Sequence, residues 1–325
     1  MQFAIATSLS GKTMTDYHAK DFIETAEGLR FAVVQNGVEN DKVLCFLRYL
    51  YQAGQWQKVN TFQVNQWLTE KQPQYLHYSK PLDAHLHAVP RQHITQHYQP
   101  KIRLQQLLHQ KSTDPVLADF VTLCQLLANA RVDLTHAGVT GSLLIATHHA
   151  ESDIDLVIYQ RDVFQQVRQV LANLINTNAL QALSETDWQQ SYARRACELS
   201  FADYCWHEQR KYNKALLHGR RIDLSLVNIE PQAEVFYQKQ GAITVTAHVS
   251  DDRYSFDYPA IFYVNHPVLS SVVCFTATYN GQAQTGEWIE VAGQLEVAAD
   301  GSQRVVVGSS REAVGEYIKV IADVA

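Results

Sequence analysis

The sequence has few cysteines, and their spacing excludes two common kinds of site. The five cysteines are an odd number, and no two of them form a CxxC pair. Zinc sites and disulfide frameworks need closely spaced or evenly paired cysteines. We therefore expect free thiols or small core residues at Cys45, Cys124, Cys197, Cys205 and Cys274.

Long apolar runs are also missing. Although 46% of the residues are hydrophobic, no run approaches the roughly 20 residues that a membrane-spanning helix needs. The start of the sequence, "MQFAIATSLSGKTMTDYHAK", lacks a positively charged region and has only a brief apolar patch, so no cleaved signal peptide is predicted. We expect a cytoplasmic protein with no membrane partner.

The sequence has no excess of basic residues that would attract nucleic acid or an anionic membrane. Its formal net charge is −6, and residues 241–325 alone carry ten acidic and four basic side chains. Residues 1–240 are therefore close to neutral. Because phosphate contacts need Lys and Arg, we expect the acidic C-terminal region to be a scaffold or a protein-contact surface.

Length and changes of pattern along the 325 residues predict three domains and an α+β fold class. Residues 1–100 indicate a small α/β module. Residues 101–232 alternate helices and strands, and Pro231 marks the exit from this middle domain. Residues 233–325 contain five or six short apolar runs between Gly, Asp and Asn turns, which favours a small β-barrel of OB-like type.

Local patterns predict the elements of the first domain. Residues 20–36 indicate a β-hairpin that turns near Gly28, in which Glu24 and Arg30 form an ion pair. The spacing of apolar residues in "KVLCFLRYLYQAG" predicts a helix over 42–54, capped by the preceding Asn40 or Asp41. A strand over "LDAHLHAVP" is expected to stop at Pro90.

The middle domain has a more regular pattern. Asp114 followed by Pro115 is a favourable helix start. Strands are predicted for "DIDLVIY" and "RRIDLSLVN". Helices are predicted over about 101–110, 114–130, 161–176 and 186–216. The last of these segments is rich in Trp and Arg.

Two carboxylates stand at the head of the first of these strands. Asp153 and Asp155 share a face with Val157, and the opposite face is apolar. The pair thus lies at the rim of a buried strand, where a charge needs water or a cation. Two carboxylates at this spacing suit Mg²⁺, which keeps several waters and takes substrate phosphates.

A glycine-serine turn precedes the acids, and a third acid follows them. Asp153 lies eleven positions after Ser142, and Gly141-Ser142 opens an apolar run that can begin a helix. Glycine allows close backbone approach to a triphosphate, and the serine hydroxyl and free amides can bind its oxygens. Asp223 has the same rim position in "RRIDLSLVN", so the three acids meet at one point if the strands are neighbours.

These motifs resemble the nucleotidyltransferase fold of the DNA polymerase beta superfamily, a mixed sheet flanked by helices. The flanks, including "DFIETAEGLRFAVV", "LSFADYCWHEQRKYNKALLHGRRIDLSLV" and "GEWIEVAGQLEV", are similar to a group of uncharacterised prokaryotic predicted nucleotidyltransferases. The resemblance covers most of the chain, although only the central motif carries a mechanism.

The resemblance implies transfer of a nucleoside monophosphate from an NTP to an acceptor hydroxyl, with release of pyrophosphate. Asp153 and Asp155 would bind two Mg²⁺ ions, with Mn²⁺ as a possible substitute, and Asp223 would complete the site for the activating metal. Gly141 and Ser142 would hold the triphosphate. The acceptor stays open between RNA, protein, a second nucleotide and a small molecule, as do the base preference and the oligomeric state.

Other candidates are weaker. A basic residue common in relatives between the serine and the acids is replaced here by His148 and His149, which are more often surface residues. Arg210 and Lys214, at helical i and i+4 spacing, are the first choice for phosphate contacts, although a solvated helix face explains them equally well. Base stacking and a place in the core are alternatives for three aromatic residues, Trp188, Tyr192 and Trp206.

Two rival functions stay open. A catalytically inactive member would bind a nucleotide or a partner protein without transfer, because a fold does not establish a function. A sugar-nucleotide glycosyltransferase would use Asp153 and Asp155 as its metal motif without needing Asp223 or the Gly141-Ser142 turn. A large separation between Asp223 and the pair would favour this second rival.

Overall fold

The structure, a computed structural model, describes residues 17–59, 61–195, 197–230, 235–310 and 313–322. It is a mixed α+β protein with three sheets, which confirms the predicted fold class at this level. Pro231 and the predicted boundary between residues 232 and 233 lie outside the described residues.

The first sheet, here called the N-terminal sheet, has seven strands in the order β5-β6-β3-β2-β1-β7, and β4 pairs with β3. A helix follows β4, and apolar residues from this helix and the sheet form one core. The elements are β1 (Phe22–Thr25), β2 (Leu29–Val33), β3 (Lys42–Gln52), β4 (Gln55–Lys58), α1 (Thr61–Lys71), β5 (Leu76–Ser79), β6 (Ala84–Pro90) and β7 (Ile94–Tyr98).

The predicted hairpin is confirmed. Strands β1 and β2 pair antiparallel with Glu24 opposite Arg30, and Arg30 Nε lies 2.7 Å from Glu24 Oε2. Gly28 has a φ of +72° in the turn, a conformation that glycine adopts without cost. The predicted strand that stops at Pro90 is also confirmed, as β6.

The predicted helix over 42–54 is wrong, because these residues form β3. The strand pairs with β2, β6 and β4, and its side chains are largely buried on both faces of the sheet. A strand in such a position is apolar almost continuously, and a continuous apolar run matches helical spacing as well as strand spacing. Asn40 and Asp41, expected to cap the helix, have φ values of +49° and +62° in the turn before β3.

The second sheet, the central sheet, has four strands in the order β10-β11-β9-β8. Strands β9 and β11 are parallel, whereas β8 and β10 are antiparallel to their neighbours. The elements of this region are α2 (Pro100–His109), α3 (Pro115–Asn129), β8 (Ala137–Val139), α4 (Gly141–Leu144), β9 (Ile154–Ile158), α5 (Arg161–Asn176), α6 (Glu185–Arg195), α7 (Phe201–Gln209), β10 (Lys214–Leu217) and β11 (Arg220–Leu226).

Helices α2, α3 and α5 pack on one face of the central sheet and share its core. Asp114 caps α3 as predicted, because its Oδ1 accepts a hydrogen bond from Val116 N over 2.7 Å. The helical stretch predicted over 186–216 is wrong at its end, since α7 stops at Gln209 and β10 begins at Lys214. Within the described part of the chain, no helix has the length and apolar character that crossing a membrane requires.

The third sheet, the C-terminal ring, is a partly closed ring of strands. Its order is β12-β13-β14-β16-β15-β17, and β12 also pairs with β15. Strands β14 and β16 are parallel, and the other pairs are antiparallel. The strands are β12 (Tyr237–Tyr254), β13 (Ala260–Asn265), β14 (Leu269–Cys274), β15 (Trp288–Ala298), β16 (Gln303–Val307) and β17 (Tyr317–Ile321).

The C-terminal ring is joined to the central region by apolar and charged contacts. Helices α6 and α7 bury Trp188 and Tyr204 in the core of the ring rather than in that of the central sheet. Arg161 Nη2 donates a hydrogen bond of 2.6 Å to Asp257 of the ring. Part of the acidic charge of the ring is therefore used in contacts within the chain.

One contact between α7 and the ring is expected to make stability dependent on pH. The buried His207 accepts a hydrogen bond from Val320 N at Nε2 over 3.0 Å, and its Nδ1 donates to Asp203 O. Burial lowers the pKa of His207 to about 4, and the charges of Lys211 and Arg210 add to this effect. The folded state therefore requires the imidazole of His207 to be neutral.

We expect this histidine to destabilise the protein on acidification. Because its folded pKa lies below the unfolded value, its contribution is complete above about pH 6.5 and is lost as the pH falls towards 4, by about 3 kcal/mol. Urea unfolding as a function of pH measures this slope, which should be reduced in His207→Gln. The exposed His85→Gln is the control, and equal slopes in both variants would contradict the prediction.

Candidate active site

Strands β9 and β11 bring the three predicted acids together. In the parallel pairing Asp223 lies opposite Asp155, and Asp153 is two residues before Asp155 on the same face. The alternate residues of both strands are buried among the helices, whereas the three aspartates are only partly buried. The two strands are therefore neighbours, which was the condition for the acids to meet.

The carboxylates influence one another. Burial and the negative charge of Asp223 raise the pKa of Asp155 to about 6, and Asp153 adds to this rise. Burial and Asp223 also raise the pKa of Asp153. Among the described residues, no three His, Cys, Asp or Glu side chains already stand in metal-holding geometry. The acids thus form a cluster of repelling charges rather than a prearranged ligand set.

The Gly141-Ser142 turn lies directly against Asp155. Thr140 N donates to Asp155 O over 2.9 Å, and Gly141 begins α4 with a φ of +65°. A Cβ atom at Gly141 would lie 2.2 Å from Asp155 Oδ2, so only glycine leaves room for this carboxylate. The Ser142 side chain is partly accessible beside it.

Arg220 and Arg221 stabilise the strands that carry the acids. Arg221 Nε lies 3.1 Å from Asp223 Oδ2, and its Nη1 donates to Ser191 in α6 over 2.6 Å. Arg220 Nη1 donates to Ser152 O over 2.7 Å, which fixes the residue before Asp153.

Arg210 and Lys214, predicted to contact phosphate from one helix face, do not share a helix. Arg210 follows the last residue of α7, and both oxygens of Glu287 in the C-terminal ring accept hydrogen bonds from it. Lys214 begins β10 and binds the buried Glu208. Lys214 does lie opposite Asp223 in the antiparallel pairing of β10 and β11.

Glu208 is the centre of a buried charged cluster. Lys211 Nζ donates to Glu208 Oε1 and to Thr278 O of the C-terminal ring. Although burial opposes it, the charges of Lys211 and Lys214 lower the pKa of Glu208 well below its ordinary value. In this structure Lys211 and Lys214 therefore neutralise a buried carboxylate.

The remaining candidates are held by local contacts. His148 Nε2 lies 3.1 Å from Asp114 Oδ2, and His149 N donates to Ser152. Trp188 is buried, and Tyr192 packs against the ring core, as in the core interpretation of these aromatic residues. Trp206 is half exposed, and the Arg210 guanidinium lies 4.4 Å from its ring centroid.

Several cations beside the acids were not among the sequence candidates. The charges of Arg194 and Lys58 oppose the rise in the pKa of Asp153, and those of Lys20 and Lys58 oppose the rise in the pKa of Asp155. Lys20 and Lys58 come from the N-terminal region, far from the motif in sequence. No local pattern marks them, because only the packing of the N-terminal sheet on α4 brings them to the acids.

Comparison with known proteins gives one informative match. No family model matches the chain, and no solved structure matches it. Uncharacterized protein MJ1086 of Methanocaldococcus jannaschii is 31% identical over 333 residues, an alignment that covers 93% of this chain and 98% of that protein. Similarity over nearly the full length of both proteins includes all three sheets and the candidate site. The chain therefore belongs to the same family as Uncharacterized protein MJ1086.

Proposed function

We propose that the chain is a Mg²⁺-dependent nucleotidyltransferase of the DNA polymerase beta type, with a nucleotidyltransferase-type central sheet. The observation that carries this proposal is the parallel pairing that sets Asp223 opposite Asp155, with the Gly141 backbone against the Asp155 carboxylate. An Asp-x-Asp pair alone is common at strand ends. Its combination with a glycine-serine turn and a third acid is far more specific.

The donor set fits a hard divalent cation. All three candidate ligands are carboxylates, which Mg²⁺ and Mn²⁺ prefer over nitrogen or sulfur. Burial and the negative charge of Asp223 raise the pKa of Asp153 and Asp155, and a bound cation would neutralise that charge. A bound cation would neutralise phosphate charge and lower the pKa of the acceptor hydroxyl. Asp153 and Asp155 would hold it, and Asp223 would complete the site on the acceptor side.

The residues of the chain position the triphosphate and the acceptor hydroxyl for an in-line displacement at the α-phosphorus. Gly141 and Ser142 hold the triphosphate beside the acids, and the acceptor hydroxyl enters next to Asp223. The acceptor oxygen forms a bond to the α-phosphorus, and the bond from this phosphorus to the bridging oxygen breaks. Pyrophosphate leaves with the electron pair, and the hydroxyl proton is released to solvent. Positioning and charge stabilisation account for most of the catalysis in such reactions.

The C-terminal ring is proposed to be an OB-like barrel with a scaffold role. In support, its first strand pairs with both its second and its fourth, and the third and fifth strands are parallel. Two of its carboxylates bind Arg161 and Arg210 of the central region. An acidic surface that is partly used in contacts within the chain favours a structural role over nucleic-acid binding.

A second candidate function is nucleotide binding without transfer. It is favoured by the absence of a prearranged metal triad among the described side chains and by the contact between Arg221 and Asp223. A large separation of Asp223 from the pair would have favoured the glycosyltransferase alternative, and the strand register sets Asp223 opposite Asp155 instead.

The proposed function is tested by following a label on the α-phosphate of the nucleotide into the acceptor. The protein is incubated with Mg²⁺ or Mn²⁺ and each α-labelled NTP, with and without cellular RNA and protein. We expect label in one acceptor fraction, an equal amount of pyrophosphate, and loss of both with EDTA. Nucleotide binding without label transfer or pyrophosphate under any of these conditions would favour the second candidate instead.

A further inference from the structure

The N-terminal sheet is fastened to the helix that carries the glycine-serine turn. Thr140, the residue before Gly141, donates through Oγ1 to Lys20 O over 2.6 Å. On the far side of α4, Arg30 Nη1 donates to Ile145 O over 3.0 Å. Hydrogen bonds thus fix the N-terminal region at both ends of this helix.

Apolar packing supports the same interface. Phe22 and Tyr49 of the N-terminal sheet form a buried cluster with Leu144 and Ile145. Tight packing gives a side chain on this sheet a defined position relative to the turn. The N-terminal sheet is therefore a fixed wall of the candidate site.

Lys20 is held in an unusual conformation at this wall. Its φ is +75°, a region that residues other than glycine rarely adopt and that costs free energy. The hydrogen bond from Thr140 and one from Lys20 N to Val33 O hold the backbone there. Backbone strain persists only where the surrounding structure holds it, and it is common at ligand sites.

Three cations of the wall have no side-chain partner among the residues that the structure describes. Lys20 and Lys58 are exposed and Arg48 is half-buried, and the Arg48 and Lys58 backbones are adjacent on β3 and β4. Within the described ranges, no side-chain hydrogen bond or ion pair involves any of the three. The charges of Lys20 and Lys58 oppose the rise in the pKa of Asp155, and that of Lys58 does so for Asp153 as well. Desolvation lowers the pKa of Lys20, and the nearby charge of Arg48 acts in the same direction.

We propose that Lys20, Arg48 and Lys58 form a basic wall that binds the triphosphate of the nucleotide, opposite the Gly141-Ser142 turn. The ligand class is a polyphosphate, because three unpaired cations match several adjacent negative oxygens. The triphosphate is favoured over an acceptor phosphate, because the carbonyl oxygen of Lys20 accepts a hydrogen bond from Thr140, the residue that precedes the turn. This inference rests on the proposed function and assigns the N-terminal sheet a direct part in it.

Binding of inorganic tripolyphosphate in EDTA tests the wall without metal or catalysis. By isothermal titration calorimetry, we expect Lys20→Met and Lys58→Met each to weaken binding about tenfold, as the loss of one charged hydrogen bond predicts. The double variant should lose about a hundredfold, and Lys20→Arg should retain most of the affinity. Lys71→Met, an equal charge change at an exposed position of α1, should bind like the wild type.

The result also separates the wall from the proposed function. Wild-type binding that Lys20→Met and Lys58→Met leave unchanged, or no binding of tripolyphosphate by the wild type, would overturn the wall even if the labelled-nucleotide assay shows transfer. Weakened binding in these variants would support the wall as a polyphosphate site even if no transfer is found. If transfer occurs, the KM for NTP should rise in both variants with little change in kcat.

Discussion

Replacement of Gly141 by alanine is expected to reduce nucleotidyl transfer by about a hundredfold, the typical effect of moving a catalytic group by an ångström. The new Cβ atom would lie 2.2 Å from Asp155 Oδ2 and 3.2 Å from Asp155 Cγ. Such contacts are too short for any real pair of atoms, so the carboxylate must move away from its place opposite Asp223. Label transfer from NTP under saturating nucleotide measures the loss.

A second glycine separates this steric effect from backbone strain. Gly301, in a turn of the C-terminal ring, has a φ of +84°, and a Cβ atom there would meet nothing within 4 Å. Gly301→Ala should lose about 1 to 2 kcal/mol of stability from the left-handed conformation alone and keep full activity. Full activity in Gly141→Ala, or an equal loss of activity in Gly301→Ala, would show that the turn does not position Asp155.

The arrangement of the acids could be predicted because it depends on local rules. Successive residues of a strand point to opposite faces, so the position of Asp153 relative to Asp155 follows from two positions of sequence. Buried Ile154 and Leu156 confirm the predicted apolar face of the strand. The third acid required one further assumption, that two strands separated by many residues are neighbours, and the pairing of β9 with β11 satisfies it.

The prediction for the N-terminal sheet failed at β3 for a physical reason. Its apolar residues include Val43, Leu44 and Leu47, whose spacing fits a helix. A central strand covered on both faces has no polar side to produce alternation, so periodicity alone cannot distinguish it from a buried helix segment. Long-range pairing with β2 and β6 decided the outcome.

The cations at the site could not be predicted from the sequence, because their positions also depend on long-range contacts. Lys20 and Lys58 follow no motif, and tertiary packing alone brings their charges to the aspartates. The opposite error affected Arg210, whose place in a dense basic run suggested a phosphate contact. In the structure it binds Glu287 of the C-terminal ring, a partner that no local pattern indicates.

Asp155→Asn is expected to abolish transfer and, without metal, to stabilise the protein. Burial and the charge of Asp223 raise the pKa of Asp155 from 3.8 to about 6, so its ionised form is unfavourable in the folded state. Because the folded pKa lies above the unfolded value, this cost is absent below about pH 4, grows as the pH rises to about 6, and is complete above it. Near pH 8 in EDTA, asparagine should therefore add about 1 to 3 kcal/mol to the free energy of unfolding, measured with urea.

Added Mg²⁺ or Mn²⁺ should reverse the order of the two proteins. At a metal concentration about a thousandfold above its dissociation constant, the wild type gains about 4 kcal/mol, whereas Asp155→Asn gains little because it has lost a ligand. Glu151→Gln, an equal charge change at an exposed neighbouring residue, should leave transfer, metal response and stability close to those of the wild type. A metal-free Asp155→Asn variant less stable than the wild type near pH 8 would instead assign Asp155 a structural role, because a residue kept for function at a cost in stability has the opposite signature.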